Sequence, residues 1–167
     1  MAKHWTKEIY DKTDKDGGID IAEELLDNIR PQDAEDLVAM GGDTIFEICA
    51  CLQDTETSYI YRGEKGELLC IMGISGYIPS AAGRCLYMLG TNAINDMSYK
   101  KQLLVTEAKN VIRQWVFTYG LVFNAVYEKN EKSMRWLKRL GAEFLPEAVQ
   151  VGDKLFYQFI ITKGSVC

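Results

Sequence analysis

The sequence has little of what a metal centre or a disulfide framework needs. Its 167 residues include one histidine, His4, and five cysteines without a Cys-x-x-Cys pair. A structural zinc site takes about four Cys or His ligands with recognisable spacing, so we expect no metal site. An odd number of cysteines without framework spacing also indicates a reducing compartment.

Long hydrophobic runs are also missing. The longest are short, such as residues 68–72, whereas a membrane-spanning helix needs about 20 apolar residues, so we expect no transmembrane segment. Residues 1–8 lack the apolar core of a secretory signal, and we expect none. With 47% hydrophobic and 26% charged residues, the composition is typical of a soluble globular protein of one domain.

Charge is distributed unevenly along the chain. Residues 1–57 contain 15 acidic and 5 basic side chains, whereas residues 58–167 contain 9 acidic and 14 basic ones. One interpretation is two solvated faces, and the other is a basic second half that faces an anion such as a nucleotide cofactor. The acidic first half would repel phosphates, which argues against direct binding to duplex DNA.

The hydrophobic period changes near residue 58 and again near residue 96. A first strand within 4–12, a turn at 13–18 and two or three helices precede residue 58, and Ala34, Leu37 and Val38 share one face of the second helix. Strands, a long helix, a strand, a short helix and a final hairpin follow. The predicted segments are helices 20–29, 32–40, 44–52, 96–119 and 130–140, and strands 58–62, 67–75, 84–89, 121–127, 142–151 and 154–162.

This order, β-α-α-β-β-β-α-β-α-β-β, predicts an α/β (mixed α+β) fold with helices on both faces of a six- or seven-stranded mixed sheet. A strand, a long helix and a strand in succession indicate a right-handed parallel crossover. Strands 84–89 and 121–127 are therefore expected to be parallel neighbours. On the long helix, Trp115 is expected to point into the core.

Residues 124–144 carry a recognisable motif. A strand leads into Asn130, then Ser133, then a short helix that ends at Gly141, with Phe144 shortly after it. With the element order, this motif resembles the GNAT family of acetyl-CoA-dependent N-acetyltransferases. Residues 136–144 and the hairpin that ends at 159–164 are more similar to the short GNAT-like internal virion proteins of podovirus-type bacteriophages. The resemblance implies a single GNAT-like domain over residues 1–167, with 163–167 as a short tail.

The GNAT resemblance implies where acetyl-CoA would bind. The cofactor's arm would lie between strands 84–89 and 121–127, and its phosphates would lie at the start of the long helix, within residues 92–101. The residues that this places at the cofactor are Met88, Leu89, Gly90, Ser98, Lys100, Lys101, Asn130 and Ser133.

The sequence departs from the GNAT pattern at two functional positions. The expected phosphate turn has no glycine after Gly90 and carries Asp96, which would repel an anion. Leu137 stands where many members have a tyrosine that protonates the leaving thiolate. Tyr127, Tyr87 and Tyr99 are the alternative candidates for this role, although Tyr127 is interpreted first as a residue that packs or hydrogen-bonds structurally.

A general base is not evident from the sequence either. Glu47, Glu67 and Glu128 lie near element ends and are interpreted as surface carboxylates. The two departures from the GNAT pattern predict weak acetyl-CoA binding, with a dissociation constant above about 100 μM, and no thiol release with common amine or peptide acceptors.

Two functions therefore remain open. The first is a non-catalytic phage protein with a degenerate acetyl-CoA site, which acts in virion assembly, in DNA ejection or on a host protein. The alternative is an active N-acetyltransferase that uses acetyl-CoA. On either hypothesis we expect the protein in the host cytoplasm or in the virion, with no membrane span and with a virion or host protein, or a small acyl-CoA, as its partner.

Overall fold

Seven strands form one mixed sheet in the order β1-β2-β3-β4-β5-β7-β6. The computed structural model describes residues 1–166, and Cys167, in the predicted tail, lies outside the described residues. The one parallel pair in the sheet as described is β4–β5, which confirms the predicted mixed sheet and its parallel neighbours. The strands are β1 (Trp5–Ile9), β2 (Thr55–Gly63), β3 (Leu68–Ser75), β4 (Arg84–Gly90), β5 (Leu121–Tyr127), β6 (Glu143–Val151) and β7 (Lys154–Thr162).

Helices occupy the connections between the strands. Three lie between β1 and β2: α1 (Lys15–Asn28), α2 (Pro31–Met40) and α3 (Thr44–Gln53). Between β4 and β5 the chain forms a 3-10 turn (Asn92–Asn95), α4 (Met97–Tyr99), a π-helical section (Lys100–Glu107) and α5 (Ala108–Tyr119). Helix α6 (Glu131–Arg139) follows β5. Across residues 1–166, no helix is both long enough and apolar enough to cross a membrane.

The first helix begins earlier than the sequence predicts. Residues 13–18 were expected to form a turn, but α1 already starts at Lys15. The Asp14 carboxylate accepts a hydrogen bond from the Gly17 N–H at 2.9 Å, which caps the helix. Gly18 is buried against the Tyr10 hydroxyl. The cap and this close packing outweigh the poor helix propensity of two glycines.

The long helix is not uniform. The sequence predicted one α-helix over 96–119, but its middle section, Lys100–Glu107, has wider π-helical turns, and the Ala108 N–H donates to the Leu103 carbonyl. Such segments are often found at functional sites. Leu103 and Leu104 remain buried, so the inward apolar face continues through the irregular section.

Two hydrophobic clusters cover the two faces of the sheet. Ile71 and Met72 are adjacent in β3 and belong to different clusters, as the alternation of a strand requires. Trp115 belongs to the cluster under the long helix, is 4% exposed and stacks on Tyr59 with ring centroids 5.8 Å apart. This confirms the predicted inward position of Trp115.

Helix α2 differs from the expected amphipathic pattern. Val38, predicted on the same face as Leu37, is 70% exposed, whereas Asp33 is 3% exposed. The helix therefore turns a carboxylate inward, and the contacts of that carboxylate position α2 at the site described next.

Candidate active site and cofactor site

Strands β4 and β5 separate soon after they meet. Their pairing within residues 1–166 is confined to Arg84 with Val122 and Cys85 with Phe123. Beyond these pairs, the Asn124 side-chain amide donates to the Leu86 carbonyl at 2.6 Å, in place of a backbone hydrogen bond. The remainder of β4 pairs with β3 alone, so a gap opens in the middle of the sheet.

The backbone of Met88 faces this gap. Backbone groups of alternate residues in a strand point to the same side. The Leu86 carbonyl is directed toward β5, and the Gly90 N–H and carbonyl are bound by Asp33 and Arg30 of the α1–α2 corner. Met88 lies between these two residues in the same register. Its N–H and carbonyl are therefore presented to whatever occupies the gap.

A cavity of about 430 Å³, here called the central cavity, passes through the gap. Its walls come from β4 and β5, from α2 and α3, and from α5 and α6. Most of its lining is apolar, and four carboxylates lie on the α2–α3 side: Asp33, Asp36, Glu47 and Asp54.

A second space of about 910 Å³, here called the basic cavity, adjoins the central cavity. Both are lined by Arg30, Ser133 and Trp136, so the two spaces meet at these side chains. The Trp136 indole N–H donates to the Leu104 carbonyl in the π-helical section at 2.7 Å. Six cations and two carboxylates line the basic cavity: Arg30, Lys100, Lys129, Lys132, Arg135 and Arg139, with Glu35 and Glu131.

The start of the long helix is already capped by a carboxylate of the chain. Asp96 accepts a hydrogen bond from the Ser98 N–H at 3.0 Å and forms an ion pair with Lys3 at 2.7 Å. The hydrogen bond from Lys3 holds the pKa of Asp96 below its usual value, so it remains an anion. An incoming phosphate would therefore compete with Asp96 for these amides.

A buried ion pair fixes the α1–α2 corner to the end of β4. Two nitrogens of Arg30 lie 2.8 and 2.7 Å from one carboxylate oxygen of Asp33. The Gly90 N–H donates to that same oxygen at 2.7 Å, and the Arg30 N–H donates to the Gly90 carbonyl at 2.9 Å. Asp33 is thus satisfied by its neighbours and holds α2 beside the gap.

Asp36, one turn later on α2, has a different environment. One of its oxygens accepts a hydrogen bond from the Asn130 side chain at 2.8 Å. The other is buried and has no hydrogen-bond partner among residues 1–166. Burial, and then the nearby charges of Asp33 and Glu35, raise the pKa of Asp36 to about 7 against the hydrogen bond from Asn130.

The sequence analysis did not single out Asp36. One feature of the sequence could have pointed to it. Asp36 follows Asp33 by three residues, so the two carboxylates lie on the same side of a helix that would otherwise bury apolar residues. The decisive partner, Asn130, is 94 positions away along the chain.

Tyr87 and Leu137 line the central cavity, whereas Tyr127 lines neither cavity. The Tyr87 hydroxyl is hydrogen-bonded to the Ser58 hydroxyl and donates to the Cys51 carbonyl. Burial raises the pKa of Tyr87 to about 12. Tyr127 is 3% exposed and packs on Phe156.

The structure brings together five of the eight residues expected at the cofactor. Met88 and Leu89 line the central cavity, Lys100 and Asn130 line the basic cavity, and Ser133 lines both. Asn130 also caps α6 through the Ser133 N–H. The other three lie outside the two linings: Gly90 at the α1–α2 corner, Ser98 beside Lys3, and Lys101 on the surface.

No protein-family model and no curated protein matches the sequence. Solved structures do match the fold. An aminoglycoside N(6')-acetyltransferase from Legionella pneumophila is 16% identical with a TM-score of 0.65, over 98% of this chain and 95% of that one. The chain has the GNAT fold. An N-acetyltransferase from Staphylococcus aureus Mu50 is 15% identical with a TM-score of 0.65, over 96% and 98% of the two chains.

A third structure with the GNAT fold was solved with CoA and spermine bound. This spermidine N-acetyltransferase from Vibrio cholerae is 7% identical with a TM-score of 0.61, over 96% of each chain. At such low identities the likeness shows the fold alone. The similarity to phage virion proteins stays a prediction. Within the described part of the chain, no group of three or more His, Cys, Asp or Glu side chains is placed to hold a metal ion.

Proposed function

We propose that this GNAT-fold chain binds an acyl-CoA and transfers the acyl group to an amine. The observation that carries the proposal is that the two cavities adjoin at Arg30, Ser133 and Trp136. The apolar cavity between the separated parallel strands lies beside a space lined by six cationic and two acidic side chains. This arrangement suits a ligand with a narrow, weakly polar arm and a polyanionic head.

The residues of the central cavity fit the thioester end of such a ligand. The Met88 N–H faces the gap, and a backbone N–H directed at a carbonyl oxygen stabilises the negative charge that develops there. Leu86, Leu137 and Ile112 keep the passage apolar, which strengthens electrostatic interactions within it. A bound acyl-CoA supplies the activated acyl group.

The residues of the basic cavity fit the phosphates, in a way that differs from the sequence expectation. Asp96 already caps the start of the long helix. Lys132, Arg135 and Arg139 lie on one helix, α6, and Lys100 lies on the π-helical section. Side-chain cations would then hold the phosphates where helix amides were expected to do so, and Arg is well suited to bidentate contact with phosphate.

Calorimetric titration with acetyl-CoA tests the proposal. We expect saturable binding that CoA competes with. The double variant Lys132→Ala/Arg139→Ala should weaken binding by tenfold or more, because two phosphate contacts are lost. Lys65→Ala, which removes an exposed cation on the β2–β3 turn, is the control and should bind as the wild type does. Binding unchanged by the double variant, or no saturable binding, would count against the proposal.

The second candidate is the non-catalytic phage protein, in the virion or the host cytoplasm, with a virion or host protein as partner. Two features favour it. Asp96 occupies the helix start, and Leu137, 4% exposed, presents a hydrocarbon where a proton donor is expected. A folded wild-type protein that neither binds acetyl-CoA nor releases thiol with a panel of primary amines would favour this candidate over the transferase.

A further inference from the structure

The four carboxylates of the central cavity are not equivalent. Asp33 is buried and bound by Arg30 and by the Gly90 N–H. Asp54 is exposed at the edge, and Glu47 is half-buried on α3. Asp36 alone among them has a buried oxygen without a hydrogen-bond partner within residues 1–166. A buried acceptor left unpaired costs free energy, so the position is best satisfied when a donor occupies the cavity.

Asp36 is also held in place. Asn130 caps α6 with its side-chain oxygen, and its amide nitrogen donates to Asp36 at 2.8 Å. This arrangement fixes one carboxylate oxygen, and the lone pairs of the other have no donor within residues 1–166. A proton acceptor requires both a fixed position and a free lone pair.

We propose that Asp36 is a catalytic residue that accepts the proton of the acceptor amine within the central cavity. This inference rests on the proposed function, and it deepens that function by assigning the base and the charge state of the acceptor. The acceptor enters as an ammonium ion, because the free oxygen of Asp36 offers it a hydrogen-bond acceptor and a negative charge.

The proton balance is complete with the groups present. The ammonium ion gives one proton to the Asp36 carboxylate and becomes a neutral amine. Its nitrogen lone pair forms the C–N bond at the thioester carbonyl, and the C–S bond breaks as the sulfur leaves with its electron pair. The second nitrogen proton passes to the thiolate, and Asp36 later returns its proton to solvent. The products are an amide, a thiol and one proton.

Burial and the charged neighbours of Asp36 set its pKa in a range that suits this role at neutral pH. On its own helix and corner it faces Asp33 and Glu35, which disfavour its charge, and Arg30, which favours it. Arg30 is already paired with Asp33. The other polar groups around the same cavity are Glu47 and Cys51 of α3, Tyr87 of β4 and Asn130 before α6. Burial is the largest influence and keeps the pKa of Asp36 at about 7, between free Asp and an amine.

The first test is the pH dependence of thiol release from acetyl-CoA with a panel of primary amines. In the wild type, kcat/KM should fall tenfold per pH unit below about pH 7, because a protonated Asp36 accepts no proton. Asp36→Asn should lower kcat/KM at pH 8 by about 100-fold or more, the usual contribution of a general base, and lose this acid limb. Its acetyl-CoA affinity should be unchanged. Asp27→Asn, an exposed residue of α1, should behave as the wild type.

The outcomes separate the two proposals. Wild-type turnover with an Asp36→Asn variant of equal rate and pH profile overturns the role of Asp36 and leaves the transferase standing. A wild type that binds no acetyl-CoA and turns over no amine overturns both. A second measurement needs no variant activity: the carboxyl carbon of Asp36 in the wild-type protein should titrate near pH 7 by NMR. A midpoint below pH 5 contradicts the inference.

Discussion

Gly73 and Tyr87 face each other across β3 and β4 with no space for a methyl group between them. A Cβ atom at position 73 would lie 2.3 Å from the hydroxyl oxygen and the adjoining ring carbon of Tyr87. The hydroxyl end of the ring therefore lies against the glycine, and the hydroxyl reaches Ser58 and the Cys51 carbonyl. One small residue in β3 thus positions the tyrosine that lines the central cavity.

Gly73→Ala should destabilise the protein by about 1–3 kcal/mol, because the added methyl group forces the Tyr87 ring out of its packed position. Urea denaturation measures the change. Gly76→Ala is the control, since a Cβ there would meet its nearest neighbour, the Asp54 carbonyl, at an ordinary 3.6 Å. Equal midpoints for Gly73→Ala and the wild type would show that the ring moves aside without cost.

Trp115→Ala should destabilise the protein by about 3–5 kcal/mol, since a large buried side chain leaves a cavity under the long helix. Thermal and urea unfolding both report it. Phe117→Ala on the same helix is the matched comparison, because Phe117 is 63% exposed. A loss from Phe117→Ala as large as that from Trp115→Ala would contradict the assigned face of α5.

Arg30→Met should cost about 3–5 kcal/mol, because it leaves the buried Asp33 carboxylate without its cation. The comparison is Arg135→Met, which breaks the exposed pair with Glu131 at 3.8 Å and should change stability by less than about 1 kcal/mol. Chemical denaturation at pH 7 measures the free energy of unfolding of both variants. Similar losses for the two would mean that the α1–α2 corner does not depend on its ion pair.

Asp36→Asn should stabilise the protein at high pH and leave its stability unchanged near pH 4. The pKa of Asp36 is about 7 when folded and 3.8 in the unfolded reference, so the folded state binds the proton more tightly. Wild-type stability therefore falls as pH rises from about 4 to 7, by about 1.4 kcal/mol per pH unit and up to about 4 kcal/mol in all.

The side-chain amide introduced by Asp36→Asn has no such titration, so the difference between the variant and the wild type should grow over the same pH range and then level off. Denaturation at a series of pH values measures it. A difference that is flat with pH would mean that the Asp36 carboxyl titrates alike in both states.

Strand β5 shows how far the sequence alone can go. Its predicted limits, 121–127, are those of the structure, because Gly120 ends the preceding helix and an apolar run follows. Helix α3 also begins at its predicted residue, Thr44, and the Asp43 carboxylate caps it. Local patterns of this kind are sufficient to predict the element order, the mixed sheet and the parallel neighbours.

The candidate site was less accessible to sequence analysis, because its decisive contacts join distant segments. In the sequence, Asp36 is an ordinary acidic residue of an amphipathic helix. Only the structure places Asn130 and the central cavity beside it. The exposed Val38 and buried Asp33 show that tertiary contacts, rather than the apolar pattern, orient α2. The π-helical section could not be predicted either, because its inward apolar stripe is the same as that of an α-helix.

Because β4 and β5 pair over only two residues, the sheet consists of two groups of strands with little hydrogen bonding between them. Two residue pairs and the Asn124 side chain join the group β1–β4 to the group β5, β7 and β6. Few hydrogen bonds cross this seam, so we expect relative motion of the two groups of strands to be largest there. A molecule bound along Met88 would contact both groups of strands. We therefore expect occupancy of the central cavity to make the sheet more rigid.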